Sequence, residues 1–288
     1  MAKHKIKIFS LLLAITIAGT SFPVFAKKNE KAPETATTEA GDPETSTGTD
    51  QIYDRLDAEF TWDDDTKDDA ITVWQFTDWS EFQNKLILDV NVGLPEIDEP
   101  KMMETVVSRL QSVLALPLQI DTSNTEAMER GMRLYNGKPM INSVSGKMES
   151  MRAVFPLVQK YGGVVVGLTL DENGIPNTAE GRVQIARKIY DTAAAYGISR
   201  DDIVIDGLAM TISSDSGSAL VTLETLRRVR DELGGHTILG VSNISFGLPQ
   251  REIINANFFT MALQNGLSCA IINPNTEAMM RSYRAFLA

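Results

Sequence analysis

The sequence from about residue 85 onward predicts an α/β fold in which helices cover a parallel sheet. Three observations lead to this prediction. Short apolar segments alternate with amphipathic ones, and the pair recurs roughly every 20–40 residues, which is the length of one strand–helix unit. The apolar segments carry hydrophobic residues at consecutive positions, as expected for strands that are buried on both faces. Glycines such as Gly162 and Gly234 follow amphipathic segments, where helices commonly end.

Seven apolar segments have the length and composition of buried strands. They are Leu86–Val90, Leu118–Asp121, Pro139–Asn142, Val164–Thr169, Ile203–Asp206, Thr237–Ser242 and Ser268–Ile272. The amphipathic segments after them predict helices at Glu99–Leu114, Thr125–Tyr135, Met148–Tyr161, Thr178–Tyr196, Ser218–Leu233, Gln250–Asn265 and Thr276–Ala288. The stretch Ser123-Asn124-Thr125-Glu126 fits a capping box, in which Ser123 would cap the second of these helices.

Almost every predicted strand ends in a polar residue, which favours a closed barrel over an open sheet. These residues are Asp89, Asn91, Asp121, Asn142, Thr169, Asp206, Asn243 and Asn273. In a (β/α)8 barrel the C-terminal ends of the strands meet at one mouth, and the active site is built there from several strands. An open dinucleotide-binding sheet would show G-x-G-x-x-G after its first strand, and this sequence has none. For any single residue, the alternative is a turn former or a helix cap.

The N-terminal part has a different composition. Residues 1–26 combine early lysines, an apolar core at 8–17 and the ending Val24-Phe25-Ala26, which is typical of a secretory signal peptide; the alternative is an uncleaved anchor. Residues 27–50 are rich in Thr, Glu and Pro and predict a disordered linker. Residues 51–84 form an atypical N-terminal segment, and residues 85–288 form the barrel domain.

Composition argues against several classes of function. The formal net charge is -11, whereas a nucleic-acid partner requires a positive patch. The chain contains only Cys269, His4 and His236 as cysteine and histidine residues, so we expect no zinc site and no nucleophile of the Cys-His or Ser-His-Asp type. The sequence therefore predicts no metal site.

Seven motifs, taken in order, resemble the pterin-binding methyltransferase barrels. The motifs are DVNVGLPEIDEP, LPLQIDTSN, NGKPMINSVSG, GGVVVGLTLDENGIP, DIVIDGLAMTISSD, TILGVSNISFGLPQR and INPNTEAMMRSY. These barrels are the methyltetrahydrofolate-binding domain of cobalamin-dependent methionine synthase and the methyltetrahydrofolate:corrinoid methyltransferases. The resemblance runs from about residue 85 to the C-terminus. Dihydropteroate synthase shares the fold but matches the motifs less well, and residues before 85 resemble the start of an exported protein.

The resemblance implies a function and a set of site residues. Such domains bind 5-methyltetrahydrofolate in the barrel mouth and pass its N5 methyl group to a cobalamin or other corrinoid carried by a partner domain or protein. It implies that Asn243 contacts the N5 region and acts in catalysis. The pterin-binding residues that it implies are Asp121, Asn142 and Asp206, with Asp89 and Asn91 lining the same mouth. Free-standing relatives are commonly dimers, so it also implies a homodimer.

The sequence departs from the family before residue 85. The family opens with a strand carrying a motif like GERIN and then a helix, and neither is present here. Only residues 77–85 separate the β-prone segment Ile71–Phe76 from Leu86, too few for a parallel crossover. We therefore expect a barrel that lacks its first strand and helix. Family chemistry predicts a cytoplasmic protein, whereas residues 1–26 predict export.

Two alternative functions stay open at this point. One is an exported or truncated pterin-barrel protein that binds without catalysis. The other is an enzyme of the dihydropteroate synthase type, which would need a diphosphate-binding arrangement near the last strands. Arg251 is the one basic candidate nearby for such an arrangement.

Overall fold

The computed structural model describes residues 11–14, 86–94 and 96–287, and for residues 11–14 it describes the backbone. Its strands are all parallel and form a closed barrel in chain order. They are β1 (Leu11–Ala14), β2 (Leu86–Val90), β3 (Leu118–Asp121), β4 (Met140–Ser145), β5 (Val164–Leu168), β6 (Ile203–Asp206), β7 (His236–Gly240) and β8 (Cys269–Ile272). The seven strands β2 to β8 confirm the predicted TIM-type barrel.

Helices alternate with these seven strands and form the outer layer. They are α1 (Glu99–Val113), α2 (Thr125–Leu134), α3 (Met148–Tyr161), α4 (Ala179–Ala195), α5 (Ser218–Leu233), α6 (Arg251–Gln264) and α7 (Glu277–Leu287). Two short 3-10 turns, Arg200–Asp202 and Val241–Ser245, flank β6 and β7. Within the described part of the chain, no helix is both long enough and apolar enough to span a membrane.

The position between β8 and β2 is taken by β1, where the sequence analysis expected a gap. Leu11 pairs with Leu86 on one side and with Ala270 on the other. This pairing satisfies backbone groups that an open edge would leave exposed. The strand comes from the apolar core of the predicted signal peptide. The predicted linker, the segment Ile71–Phe76 and the place of a first helix lie outside the described residues.

Alternate strand residues fill the barrel interior. One cluster of buried side chains contains Ile87, Met140, Val164, Val166, Val204, Ile238 and Cys269. The intervening strand residues pack against the helices in two other clusters. Because successive side chains of a strand point to opposite faces, residues two positions further along a strand also face inward. At the C-terminal ends, the inward positions are Asp89, Asp121, Asn142, Asp206 and Gly240.

Cys269 belongs to this interior cluster and is 1% exposed. Burial raises the pKa of its thiol, because the charged thiolate would lose its hydration. The residue therefore behaves as a small apolar side chain of the interior.

Two strand ends differ from the sequence prediction. β4 continues to Ser145, because a bulge between Asn142 and Val144 shifts its register against β5 and lets pairing go on. β7 ends at Gly240, and the chain then turns into the 3-10 segment Val241–Ser245 instead of extending to residue 242. Both differences lie at the mouth, where they set the direction of the site residues.

The predicted capping box at α2 is wrong in its cap residue. Asn124, not Ser123, is the N-cap: its Oδ1 accepts the amides of Glu126 at 3.0 Å and Ala127 at 3.1 Å. One side chain thus satisfies two amide donors that have no partner inside the helix. The helix still begins at Thr125, as predicted.

Gly146 lets the loop after β4 pack against the loop after β5. Its N–H donates to the carbonyl of Leu170 at 2.8 Å. A Cβ at this position would collide with Ile185 of α4 and lie 3.0 Å from the Leu170 oxygen. The mouth thus requires glycine here for steric reasons.

We expect Gly146→Ala to lower the free energy of unfolding by about 1–3 kcal/mol, because the new methyl group has no space. Urea unfolding followed by circular dichroism measures this change. Gly93→Ala is the matched control, since a Cβ at Gly93 meets its nearest atom at an ordinary 3.5 Å. Equal stabilities of the two variants would contradict the steric explanation.

Candidate functional site

The mouth of the barrel holds two carboxylates on neighbouring strands. Asp89 is the last inward-facing residue of β2 and is 8% exposed, and Nε2 of Gln119 on β3 donates to its Oδ1 at 2.5 Å. Asp121 ends β3, and Nδ2 of Asn91 donates to its Oδ2 at 3.1 Å. Each carboxylate thus receives an amide from the strand or strand end beside it. The structure brings together three of the predicted site residues here.

Burial raises the pKa of both carboxyl groups. The pKa of Asp89 rises to about 7, mainly through desolvation and further through the charge of Asp121, while the hydrogen bond from Gln119 opposes the rise. Desolvation also raises the pKa of Asp121; the hydrogen bond from Asn91 opposes this effect and the charge of Glu99 adds to it. A proton is therefore retained on this pair up to near-neutral pH.

Asn142 faces Asp121 across the β3–β4 ladder, where the two residues are register partners. Both line a cavity of about 560 Å³ that opens between the C-terminal ends of β3, β4 and β5. Polar side chains dominate the rest of its wall near the strands, among them Thr122, Ser143 and Ser145. A cavity of this volume accommodates a small organic ring system.

Asp206 lies on another part of the same mouth, at the end of β6. Its Oδ1 accepts the backbone N–H of Leu208 at 2.7 Å. Desolvation raises the pKa of Asp206 to about 6, and the Leu208 hydrogen bond and the charge of Arg182 both oppose this rise. These two opposing effects favour the ionised form of Asp206 more than burial alone would.

Asn243 lies in the 3-10 turn after β7, and it is exposed at the mouth. Its side chain folds back over Gly240, since a Cβ built at Gly240 would lie only 2.9 Å from Nδ2 of Asn243. Arg251 holds this turn through two hydrogen bonds. Its Nε donates to Oγ of Ser245 at 3.0 Å, and its Nη2 donates to the carbonyl of Ser242 at 3.0 Å. The glycine thus makes room for the amide.

Two of the predicted strand-end polar residues have structural surroundings only. Thr169 is fully buried, and its hydroxyl donates to the backbone carbonyl of Asp206 at 2.9 Å. Oδ1 of Asn273 accepts the amide of Asn275 at 3.0 Å, which makes a local turn. The turn-former alternative therefore describes Asn273, whereas Thr169 joins the end of β5 to the end of β6.

Several residues of the mouth were missed by the sequence analysis. Gln119 is a polar residue between the apolar residues Leu118 and Ile120 of a buried strand, and that pattern was its signal. Glu99 accepts a hydrogen bond from the hydroxyl of Thr122, which directly follows Asp121. Arg182 lies on the buried face of α4, where a charged residue interrupts the apolar pattern.

Comparison with known proteins assigns the family. The model of the family described as "Pterin binding enzyme" matches residues 85–273, which is most of the described chain. The chain belongs to the pterin-binding enzymes. The match covers β2 to β8 and therefore every inward-facing polar residue of the mouth.

This pterin-binding barrel is similar in sequence to methyltransferases. It is 31% identical over 199 residues to a methylcorrinoid:tetrahydrofolate methyltransferase of Eubacterium limosum, covering 67% of this chain and 72% of the relative. It is 33% identical over 200 residues to the methionine synthase of Mycobacterium tuberculosis, covering 65% of this chain. The matched part is only 17% of that longer protein.

Among solved structures, the pterin-binding barrel is similar to dihydropteroate synthases. The enzyme of Yersinia pestis with a sulfonamide drug gives a TM-score of 0.62 at 11% identity, covering 98% of this chain and 94% of that chain. The enzyme of Xanthomonas albilineans in complex with 7,8-dihydropteroate gives 0.56 at 21% identity, covering 70% and 81%. At these identities, the similarity extends to the fold alone.

The donor set of the mouth is made of carboxylates and amides. Among the described residues, no group of three or more His, Cys, Asp or Glu side chains has a geometry that could hold a metal ion. The chemistry available to these side chains is hydrogen bonding to a ligand and proton exchange near neutral pH.

We expect Asp89→Asn to change how stability depends on pH. The Asp89 pKa is about 7 in the folded protein and near its ordinary 3.8 in the unfolded chain. Between these values the folded protein holds a proton that the unfolded chain has released, so the free energy of unfolding falls as pH rises through this window. Asp89→Asn lacks this fall in the free energy of unfolding. Above pH 7 the variant should therefore be more stable than the unaltered protein by on the order of 1–3 kcal/mol.

Urea unfolding of both proteins at pH 4.5, 6 and 8 measures the difference. Asp191→Asn, on the exposed part of α4, is the control that removes a carboxylate outside the barrel. Parallel pH profiles for Asp89→Asn and the unaltered protein would show that Asp89 does not hold this proton.

Proposed function

We propose that the chain is a methyltransferase that binds 5-methyltetrahydrofolate in the barrel mouth and transfers its N5 methyl group to a corrinoid of a partner. The observation that carries the proposal is the convergence of Asp121, Asn142 and Asp206, from three separate strands, on one inward-facing mouth. The similarity to methyltransferases at 31% and 33% identity supports this reaction. It favours methyl transfer over dihydropteroate synthesis, for which the similarity concerns the fold.

The proposed binding step uses complementary hydrogen bonds. A pterin ring presents several N–H donors along one edge and a carbonyl acceptor beside them. Ionised Asp206 accepts such N–H groups, and Asp121 offers the oxygen that Asn91 leaves unoccupied. No described residue hydrogen-bonds the Asn142 side chain, so its amide is available both to donate and to accept. Asp89 and Asn91 complete the wall behind the ring.

The proposed transfer step breaks the bond between N5 and its methyl carbon. The methyl group moves to the acceptor, the bonding electron pair stays on N5, and a proton must reach that nitrogen. A reduced corrinoid, held by a partner protein or domain, supplies the nucleophile that accepts the methyl group. Asn243 contributes by hydrogen-bonding the N5 region as its charge changes, which is electrostatic stabilisation by a positioned dipole. The raised pKa values of Asp89 and Asp121 let this pair hold a proton near neutral pH, which is consistent with a reaction that needs a proton at N5.

Two other functions differ in their observable consequences. A dihydropteroate synthase would form 7,8-dihydropteroate, and Arg251 would have to bind a diphosphate through the N–H groups that its contacts with Ser242 and Ser245 leave unused. A non-catalytic, exported pterin-binding protein would bind folate without transferring the methyl group. The predicted signal peptide favours the latter. Homodimer formation, cellular location and the identity of the corrinoid partner are parts of the same proposal. Gel filtration tests homodimer formation, and cell fractionation tests the location.

Binding of 5-methyltetrahydrofolate tests the proposal directly. Titration calorimetry on the full chain should give a dissociation constant in the micromolar range. Asp121→Asn should weaken binding by about tenfold or more, because it removes a charge-assisted hydrogen bond. Asp191→Asn should leave binding unchanged. A folded protein that binds no folate would refute the proposed function.

Methyl transfer to free cob(I)alamin tests the part assigned to Asn243. We expect Asn243→Ala to lower the single-turnover rate by roughly 10- to 1000-fold, with binding changed much less. Gly240→Ala should lower the rate in the same direction, because the added methyl group displaces the Asn243 amide from its place over residue 240. Asn257→Ala, on the exposed face of α6, is the control.

The two variants make the test specific to position. If Asn243→Ala slows transfer while Gly240→Ala does not, the amide acts from a place other than the one over Gly240. If neither variant slows single-turnover transfer, Asn243 has no part in the chemistry. Formation of 7,8-dihydropteroate in a parallel assay would favour the synthase function.

A further inference from the structure

Arg182 is a buried cation immediately behind the mouth. It lies in the first turn of α4 and is 2% exposed. Its Nε donates to the carbonyl of Pro176 at 3.0 Å, and its Nη1 donates to the carbonyls of Gly207 at 2.6 Å and Leu208 at 2.9 Å. The guanidinium therefore joins the loop after β5 to the loop after β6.

The hydrogen-bond partners of this guanidinium are all neutral. Its remaining described contact is with the hydroxyl of Thr222, at 3.2 Å, and no described carboxylate forms an ion pair with it. Burying a cation without an ion-pair partner is costly, and an apolar side chain of similar size would fill the same space at a lower cost. Packing alone thus does not account for arginine at this position.

Leu208 connects Arg182 to the site. Its φ of +58° lies in the left-handed region, which is unfavourable for a leucine. Its carbonyl is held by Arg182 and also by the hydroxyl of Thr222, which donates at 3.0 Å. Its N–H donates to Oδ1 of Asp206 at 2.7 Å. The same residue is thus fixed on one side by the guanidinium and bonded on the other to the carboxylate.

We propose that Arg182 is a positioning residue for the pterin site: by holding the Gly207 and Leu208 carbonyls, it keeps the Leu208 N–H on Asp206 and keeps that carboxylate directed into the mouth. Arg182 itself contacts no ligand in this proposal. The identification of Asp206 as a pterin-binding residue rests on the proposed function, but the link from Arg182 to Asp206 does not.

Arg182 is the charged group that acts on Asp206. The register partners of Asp206 are Leu168 on β5 and Ile238 on β7, both apolar. On the helical side, α4 contributes Arg182, whose positive charge lowers the pKa of Asp206 against the effect of burial. Loss of this charge therefore favours the protonated form of Asp206, which accepts fewer N–H groups from a ligand.

The first experiment measures Asp206 without any ligand. We expect Arg182→Gln to raise the pKa of Asp206 by about 1 unit, since an opposite charge close by has been removed. Carboxyl carbon NMR of the full chain measures this pKa, with the resonance assigned by its absence in Asp206→Asn. Arg187→Gln removes an exposed charge from the same helix and should leave the Asp206 pKa unchanged.

The second experiment measures 5-methyltetrahydrofolate binding between pH 5.5 and 8. In Arg182→Gln, the pH at which binding reaches half its maximum should move upward by the same amount as the Asp206 pKa. At pH 6, affinity should fall by several-fold, and at pH 8 it should approach that of the unaltered protein. A structural defect alone would lower affinity equally at every pH. In an Asp206→Asn background, the Arg182 substitution should no longer shift the profile.

A third variant covers the case in which Arg182→Gln does not fold. Arg182→Lys keeps the charge but loses the planar fork, in which Nε holds the Pro176 carbonyl while Nη1 holds the carbonyls of Gly207 and Leu208. It should leave the Asp206 pKa near its original value and speed hydrogen exchange of the Leu208 amide at least about tenfold, as its hydrogen bond opens more often. Unchanged Leu208 exchange in this variant would overturn the proposal.

The outcomes separate this proposal from the proposed function. An unaltered protein that binds no folate, together with a raised Asp206 pKa in Arg182→Gln, would refute the function but support the positioning of Asp206. Folate binding together with an unchanged Asp206 pKa in folded Arg182→Gln would do the opposite.

Discussion

Desolvation of the carboxylates on the inner face of the sheet is the constraint on which the mouth depends. A closed parallel barrel places every second side chain in its interior, and most of that interior is filled by aliphatic residues. Asp89, Asp121 and Asp206 occupy the last inward positions of their strands, where water is scarce but a ligand has access. All three have raised pKa values for this reason. The site is thus a polar layer at the end of an apolar barrel.

The surrounding residues adjust the cost of this burial differently at each carboxylate. Asp89 and Asp121 lie near one another, Glu99 lies near Asp121, and the amide partners of the two aspartates only partly oppose the rise in pKa. Asp206 has a backbone amide and a buried guanidinium nearby, and its pKa stays lower, at about 6. Burial therefore favours the protonated form more strongly at Asp89 than at Asp206. Such a difference allows one site both to bind N–H donors and to accommodate proton movement.

Much of this architecture could be predicted from the sequence, because it depends on local periodicity. The consecutive apolar residues of the strands and the polar residue at the end of each predicted the barrel and its mouth. Asp121 and Asn142 come to face one cavity because neighbouring parallel strands end at the same edge. The strand and helix boundaries differ mainly where a bulge or a 3-10 turn follows the strand, as in β4 and β7.

The remaining features depend on contacts between distant segments. The left-handed conformation of Leu208 depends in part on an arginine 26 residues earlier, which holds its carbonyl. The hydrogen bond from Gln119 to Asp89 spans 30 residues. The β1 pairing joins a segment that resembles a leader to strands more than 70 residues away. Periodicity within one element contains no information on such partners.

The single cysteine has a practical consequence for the study of this barrel. Cys269 lies among the interior aliphatic side chains at the start of β8. An alkylating reagent therefore reaches its sulfur only when strands of the barrel separate. The rate of thiol modification under native conditions therefore reports how often the sheet opens. Because β8 is hydrogen-bonded to both β7 and β1, this rate reports opening of the sheet where its first and last strands pair. A ligand that binds in the mouth and stabilises the closed barrel would lower the rate of thiol modification without contacting the sulfur.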